Sequence, residues 1–125
     1  KTATPIITLG KFFKRGKIDR EQLQNDCALI LTSEYFDVDW YLKTYQDVAD
    51  AAISPAEHYI LFGGKEGRYP SPQFDGRWYL KHNPDVAKNK INPLLHFLKF
   101  GQAEGRRVSP RLLANKKVTS RGSKQ

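Results

Sequence analysis

The chain has 125 residues, of which 39% are hydrophobic, so its length and composition suit one globular domain with a modest core. Its single cysteine, Cys27, excludes an internal disulfide and a cysteine-based zinc site, and no apolar run reaches the ~18 residues of a membrane span. The net charge of +8 lies towards the two ends, because residues 34–110 carry ten basic and ten acidic side chains. A protein that binds the grooves of nucleic acids carries positive charge on its folded surface. The neutral charge balance of residues 34–110 therefore disfavours a nucleic-acid partner.

Residues 1–17 are predicted to form a flexible basic segment. Lys11, Lys14, Arg15 and Lys17 flank two phenylalanines there, and such a mixture can seat a peripheral protein on an anionic bilayer. These four cations are therefore candidate contacts for an anionic membrane surface. A solvated linker is the alternative interpretation.

Residues 18–34 are predicted to form a helix, with Asp19 as its candidate N-cap. The segment has no counterpart elsewhere in the chain. Because helical repeats bury their faces on their neighbours, we predict that this helix caps the N-terminal end of the repeats that follow it. Its apolar side is expected to carry Leu23, Cys27, Ile30 and Leu31.

The middle of the chain is a sequence repeat with a period of 38 residues. Residues 36–72 match residues 74–110 without a gap, with identity at nineteen of thirty-seven positions. A match of this extent indicates a duplicated structural unit. We name residues 35–72 unit 1 and residues 73–110 unit 2.

Each unit is predicted to hold two helices. The first begins after an aspartate that can cap it, Asp37 or Asp75, and runs to about Asp50 in unit 1 and Lys88 in unit 2. In unit 2 the proline Pro84 interrupts the pattern, so we expect a kink or a separate turn there.

The second helix of each unit has a clear start signal. Ser54, Pro55 and Glu57 supply an N-cap, a proline in the first turn and a capping box, and Asn92 and Pro93 repeat the cap and the proline. The glycines that follow are expected to supply the helix stop and the positive φ angles of a tight turn, namely Gly63, Gly64, Gly67, Gly101 and Gly105.

The predicted fold class is therefore all-α: tandem two-helix repeats of period 38, with an N-terminal capping helix and flexible basic termini. The second of these termini is residues 111–125, which carry five basic and no acidic side chains.

The repeat pattern FD-x-x-WYL, DVA, N-P-L-x-H-F and G-x-x-EGR-x-x-SP resembles the tandem segments attached to bacterial surface-polysaccharide glycosyltransferases, including the rhamnan-synthesis type. Unit 1 departs from it at Tyr45, Gln46 and Ala56. The resemblance covers roughly residues 35–110 and implies an accessory segment beside catalytic domains. Its carriers in this sequence are Phe74, Asp75, Trp78, Tyr79, Leu80, Asn83, Pro84, Asp85, Val86, Ala87, Asn92, Pro93, Leu94, His96, Phe97, Gly101, Glu104, Gly105, Arg106, Ser109 and Pro110.

No catalytic constellation is apparent in the chain, and we expect no cofactor and no metal. Asp37 and Asp39 spell the D-x-D of many glycosyltransferase metal sites, but no strand-helix alternation surrounds them and Arg77 replaces the second aspartate in unit 2. We therefore predict that this chain is not an enzyme, and that a longer parent chain would be a glycosyltransferase.

A tryptophan in the first helix of each unit is the leading candidate for ligand contact. On an unbroken helix it shares one side with the lysine three residues later and the aspartate seven residues later. This side suggests a surface that stacks on sugar rings and hydrogen-bonds to hydroxyl groups, whereas packing between units is the other interpretation. The candidate residues for a glycan or a partner are Trp40, Lys43 and Asp47 in unit 1 and Trp78, Lys81 and Asp85 in unit 2.

The histidines and the charged turns are candidate turn or ligand contacts. A histidine that packs or hydrogen-bonds between helices is the favoured interpretation, because no metal-ligand spacing accompanies it. The charged residues are expected to tie a turn to the preceding helix. The set comprises His58, Glu66 and Arg68 in unit 1 and His96, Glu104 and Arg106 in unit 2.

The sequence thus predicts a non-catalytic repeat module of a bacterial polysaccharide-biosynthesis glycosyltransferase, which binds or positions a glycan, a partner protein or the enzyme. The alternative is a free-standing interaction protein whose basic arms contact an anionic polymer or membrane. We expect a cytoplasmic location, at the inner face of the membrane in the membrane-contact case. The sequence does not indicate an oligomeric state.

Overall fold

A computed structural model describes residues 19–108, and all regular secondary structure among them is helical. This confirms the all-α prediction for that part of the chain. The basic segments 1–17 and 111–125, with the cations Lys11, Lys14, Arg15 and Lys17, lie outside the described residues. The helices are α1 (Arg20–Leu31), α2 (Val38–Thr44), α3 (Gln46–Ala51), α4 (Pro55–His58), α5 (Gly76–His82), α6 (Pro84–Lys88) and α7 (Pro93–His96), and α4 and α7 continue into π-helical turns, Tyr59–Gly63 and Phe97–Gly101.

Helix α1 is shorter than the predicted 18–34, but its predicted N-cap is confirmed, because the Asp19 carboxylate accepts a hydrogen bond from the Gln22 backbone N–H. Leu23, Cys27 and Ile30 are buried, but Leu31 is 48% exposed. The expectation that Leu31 belongs to the buried side was wrong: it follows Ile30 by one residue and so points about 100° away from it. The helix contacts both α4 and α7 and therefore touches both units.

The predicted first helix of each unit consists of two short helices. The split beside Pro84 in unit 2 was expected, and it falls at Asn83. Unit 1 also breaks, at the equivalent residue Tyr45, and the prediction of one helix to Asp50 was wrong. The Tyr45 backbone leaves helical geometry (φ −116°, ψ 81°), and its hydroxyl accepts a hydrogen bond from the Tyr69 backbone N–H. A contact made 24 residues away thus accompanies the break.

The predicted N-caps are confirmed, because each polar side chain accepts from a backbone N–H in the first turn of its helix. Asp37 accepts from Trp40 and Asp75 from Trp78. Ser54 and Asn92 cap α4 and α7 in the same way. Each such cap typically stabilises a helix by about 1 kcal/mol.

The glycines divide into two groups. Gly67 and Gly105 have the expected positive φ angles of 80° and 78°. Gly63, Gly64 and Gly101 do not, so the prediction of a positive φ angle was wrong for those three. The predicted helix stop is confirmed at Gly63 and Gly101, where the two π-helical turns end. The left-handed positions after α3 and α6 are held instead by the non-glycine residues Ala52 and Lys90, both with φ 56°.

The core is rich in aromatic side chains and is shared by the two units. Tyr35, at the start of unit 1, packs edge-on against Phe74 and Phe97 of unit 2, with ring centroids 6.2 and 5.4 Å away. The Ser71 hydroxyl donates a 2.8 Å hydrogen bond to the Tyr35 carbonyl. Among the helices of residues 19–108, none is long and apolar enough to cross a bilayer.

Candidate functional site

A buried tyrosine–histidine pair lies at the centre of each unit. Tyr41 Oη is 2.8 Å from His58 Nδ1, and Tyr79 Oη is 2.8 Å from His96 Nδ1. Each pair joins the first helix of its unit to the start of the second helix, across 17 residues of chain. The two histidines are therefore buried between helices.

Burial keeps these pairs neutral. Desolvation lowers the pKa of His58 to about 4 and lowers the pKa of His96, and in both cases the nearby arginine adds to the effect. Burial also raises the pKa of Tyr41, and it raises that of Tyr79 to about 12. At neutral pH an uncharged imidazole therefore meets an uncharged phenol in each unit.

The π-helical turns make room for these pairs. A side chain at Gly63 would overlap the Tyr41 hydroxyl, and one at Gly101 would overlap the Tyr79 hydroxyl. Gly63 and Gly101 therefore end their helices, as predicted, and they also allow a close approach between helices that was not predicted. The identity of Tyr41 with Tyr79 and of Gly63 with Gly101 was visible in the repeat, but their contact was not.

A contact that we name the arginine tie connects the turn at the end of unit 1 to α3. Arg68 donates two parallel hydrogen bonds to the Asp47 carboxylate, at 2.8 and 2.7 Å, and its Nε lies 2.8 Å from Glu66. The guanidinium also lies 4.8 Å from the centre of the Tyr45 ring. The hydrogen bonds from Arg68, ahead of the Coulombic attraction, lower the pKa of Asp47.

Unit 2 repeats this tie with a more exposed carboxylate. Arg106 reaches both oxygens of Asp85 at 3.1 Å and binds Glu104 at 2.7 Å. Asn83 replaces Tyr45 and accepts from Arg106 at 2.8 Å. The Asp85 side chain is 60% exposed, compared with 22% for Asp47. The two networks therefore share their partners but differ in solvent access.

In unit 1 the structure does not bring the predicted tryptophan, lysine and aspartate together on one helix. Trp40 and Lys43 belong to α2, but Asp47 belongs to α3 beyond the break and binds Arg68. The expectation that the three share one helix side was wrong, because it assumed an unbroken helix. Trp40 is half-buried, edge-on to Tyr45 at 6.2 Å, and Lys43 is exposed.

The corresponding group in unit 2 separates in the same way. Asp85 lies in α6 with Arg106, whereas Trp78 and Lys81 lie in α5. The Trp78 indole stacks on His82, with ring centroids 4.1 Å apart and 22° between the planes. Trp78 is half-buried and Lys81 is exposed. Each unit thus presents a partly exposed indole and a lysine on its first helix.

The junction between the units was not predicted. The Arg77 guanidinium lies over Gly67 and donates to the Glu66 carbonyl at 3.3 Å. Asn92 reaches across to the Tyr59 carbonyl at 3.4 Å. Beside these contacts an open groove of about 430 Å³ lies between the two units. Its lining combines residues 60–65 with residues 80–93, so no local sequence pattern could have revealed it.

Comparisons with known proteins found no relative of this chain. No family model, no curated protein and no solved structure matches the chain. Within the described range 19–108, no group of three or more His, Cys, Asp or Glu side chains is placed to hold a metal ion. The resemblance to segments of polysaccharide glycosyltransferases therefore stays a prediction from sequence.

The difference in exposure between the two arginine ties leads to a testable prediction. Arg68→Lys keeps the charge but removes the bidentate geometry, and we expect it to lower the free energy of unfolding by about 1–2 kcal/mol. Arg106→Lys is the matched control, for which we expect a smaller loss because Asp85 is mostly solvated. Urea denaturation of both variants measures the difference, and equal losses would contradict this account.

Proposed function

We propose that this chain is a non-catalytic helical repeat module of a bacterial polysaccharide-biosynthesis glycosyltransferase, which binds or positions a glycan, a partner protein or the enzyme. In this proposal the two units are tandem repeats with α1 as their capping helix. The module works in the cytoplasm, at the inner face of the membrane if its basic segments contact the bilayer. Two features support the repeat proposal: the tyrosine–histidine pair and the arginine tie both recur at the 38-residue spacing.

One observation supports the non-catalytic part of the proposal: the repeated ionisable groups are bonded to one another within each unit. His58 is buried against Tyr41, and Asp47 has both oxygens on Arg68. A general acid or base must come within hydrogen-bond reach of its substrate. Groups that are already bonded in this way suit a structural role better than a catalytic one, which supports a binding module.

The two tryptophans are the repeated groups best placed to meet a ligand. Trp40 and Trp78 are large, partly exposed aromatics near the start of α2 and α5, and each has an exposed lysine three residues later. An indole face can lie on the apolar face of a sugar ring while an ammonium donates hydrogen bonds to its hydroxyl groups. This arrangement favours a glycan as the ligand.

The test is a titration of the whole chain with a rhamnan, followed by NMR at the two indole N–H groups. We expect saturable shifts at both indoles, and Trp78→Ala should weaken binding about fivefold or more, since stacking by one aromatic is worth roughly 1 kcal/mol. Phe100→Ala is the matched control, because Phe100 is also aromatic and is 54% exposed. Unchanged indole signals at saturating polysaccharide would rule out glycan binding on these helices.

A further inference from the structure

The groove between the two units has an apolar floor and a basic rim. Its volume of about 430 Å³ lies within the range of small-molecule sites. Unit 1 contributes Ile60 and Lys65, and unit 2 contributes Leu80, Lys90, Ile91 and Pro93. No tryptophan lines it, so this is a different surface from the one proposed for glycan.

The groove lies beside a close contact between the two units. The Asn92 side chain occupies the space that a side chain at Gly64 would need. Beyond this contact Ile91 stays 39% exposed, whereas its counterpart in unit 1, Ile53, is only 6% exposed. Unit 2 therefore leaves apolar surface uncovered at a position where unit 1 does not.

The rim of the groove carries positive charge. Neither Lys65 nor Lys90 forms an ion pair with any other residue of the described range. The nearest acidic neighbour in sequence, Glu66, is bound to Arg68. Unit 1 has an alanine, Ala52, at the position of Lys90. The combination of an apolar floor with two cations is thus particular to this groove.

We infer that the groove binds an alkyl monophosphate, with the phosphate between Lys65 and Lys90 and the alkyl chain over Ile60, Leu80 and Ile91. Lysine binds phosphate as a point charge, whereas planar carboxylates are held best by the two-pronged geometry of arginine. Alkyl groups bury apolar surface on the floor, which an inorganic anion cannot do. The inference concerns a site separate from the tryptophans and does not depend on glycan binding.

Octyl phosphate below its micellar concentration is the probe, titrated into the full chain and followed by amide NMR. We expect saturable shifts at Lys65, Lys90 and Ile91, and binding that weakens as salt rises. Octanol and inorganic phosphate, which supply the apolar group and the anion separately, should each bind at least tenfold more weakly. Equal binding of inorganic phosphate would overturn the inference and leave an anion site without an apolar component.

Two double variants with the same change in net charge complete the test. Lys65→Gln/Lys90→Gln should weaken octyl phosphate about five- to tenfold, since each exposed pairing contributes up to a few-fold. Lys88→Gln/Arg107→Gln removes two exposed cations that do not line the groove, and should leave the affinity unchanged. Similar weakening in both double variants, or shifts at residues away from the groove, would overturn the site. The amide spectra of the unliganded variants verify that each is folded.

Discussion

Gly63→Ala is expected to lower the free energy of unfolding by about 2–4 kcal/mol. The new methyl group would overlap the Tyr41 hydroxyl in the interior of unit 1, where Tyr41 and His58 are fully buried. Either the helices separate or the hydrogen bond between Tyr41 and His58 breaks, and both cost stability. Urea denaturation followed by circular dichroism measures the change.

A second substitution distinguishes the clash with the Tyr41 hydroxyl from any other loss of stability that an alanine at position 63 causes. Tyr41→Phe removes the hydroxyl that the methyl group would overlap, at the cost of leaving His58 without its 2.8 Å partner. The double variant Gly63→Ala/Tyr41→Phe should therefore lose less stability than the sum of the two single variants. Strictly additive losses would show that the close approach at Gly63 is not what requires glycine. Gly101→Ala should behave like Gly63→Ala, because it meets Tyr79 in the same way.

Acidification from pH 6.5 to pH 4 is expected to lower the free energy of unfolding by about 3 kcal/mol through His58 alone. The pKa of this histidine is about 4 in the folded chain, below its ordinary value of 6.5. The unfolded chain therefore binds a proton in this interval that the folded chain does not. The stabilisation is fully present above pH 6.5 and is lost as the pH falls towards 4. His96, whose pKa is also lowered, acts in the same direction.

The histidine effect occurs in a different pH window from that of the carboxylates. Asp47 has a pKa held below 3.8 by Arg68, so its contribution is present above that pH and is lost below it. Denaturation midpoints at half-unit pH intervals, together with NMR titration of the His58 ring protons, distinguish the two. His58→Gln should flatten the slope between pH 6.5 and 4. Stability that stays constant over that interval in the unsubstituted chain would contradict the burial account.

Local features of the fold could be predicted from the sequence. Asp19, Asp37, Asp75 and Ser54 each cap a helix through a backbone N–H three residues ahead. Such an interaction depends on one residue type and a short spacing, so a pattern in the sequence is enough to find it. The helical class follows from similarly local causes. The split in unit 2 was predicted from Pro84, although unit 1 splits at the same place with Gln46 in that position.

Contacts between distant residues could not be predicted in this way. Asp47 was placed beside Trp40 on the assumption of one helix, but the break at Tyr45 gave it a partner 21 residues later, Arg68. Gly63 ends its helix as predicted, but its close approach to the Tyr41 hydroxyl could not be predicted. In both cases the residue was recognised and its partner was not.

The 38-residue repeat shows which features depend on the sequence alone and which depend on the tertiary structure. By itself the sequence determined the repeat, the caps and the helical class, because identity, spacing and backbone capping are properties of the chain. Only the tertiary structure decided that His58 and His96 are buried with a hydrogen bond to a tyrosine. It also decided that Lys65 and Lys90 line a groove between the units. Such pairings depend on how the helices pack, and a side chain's partner across 17 or more residues is chosen by that packing rather than by its neighbours in sequence.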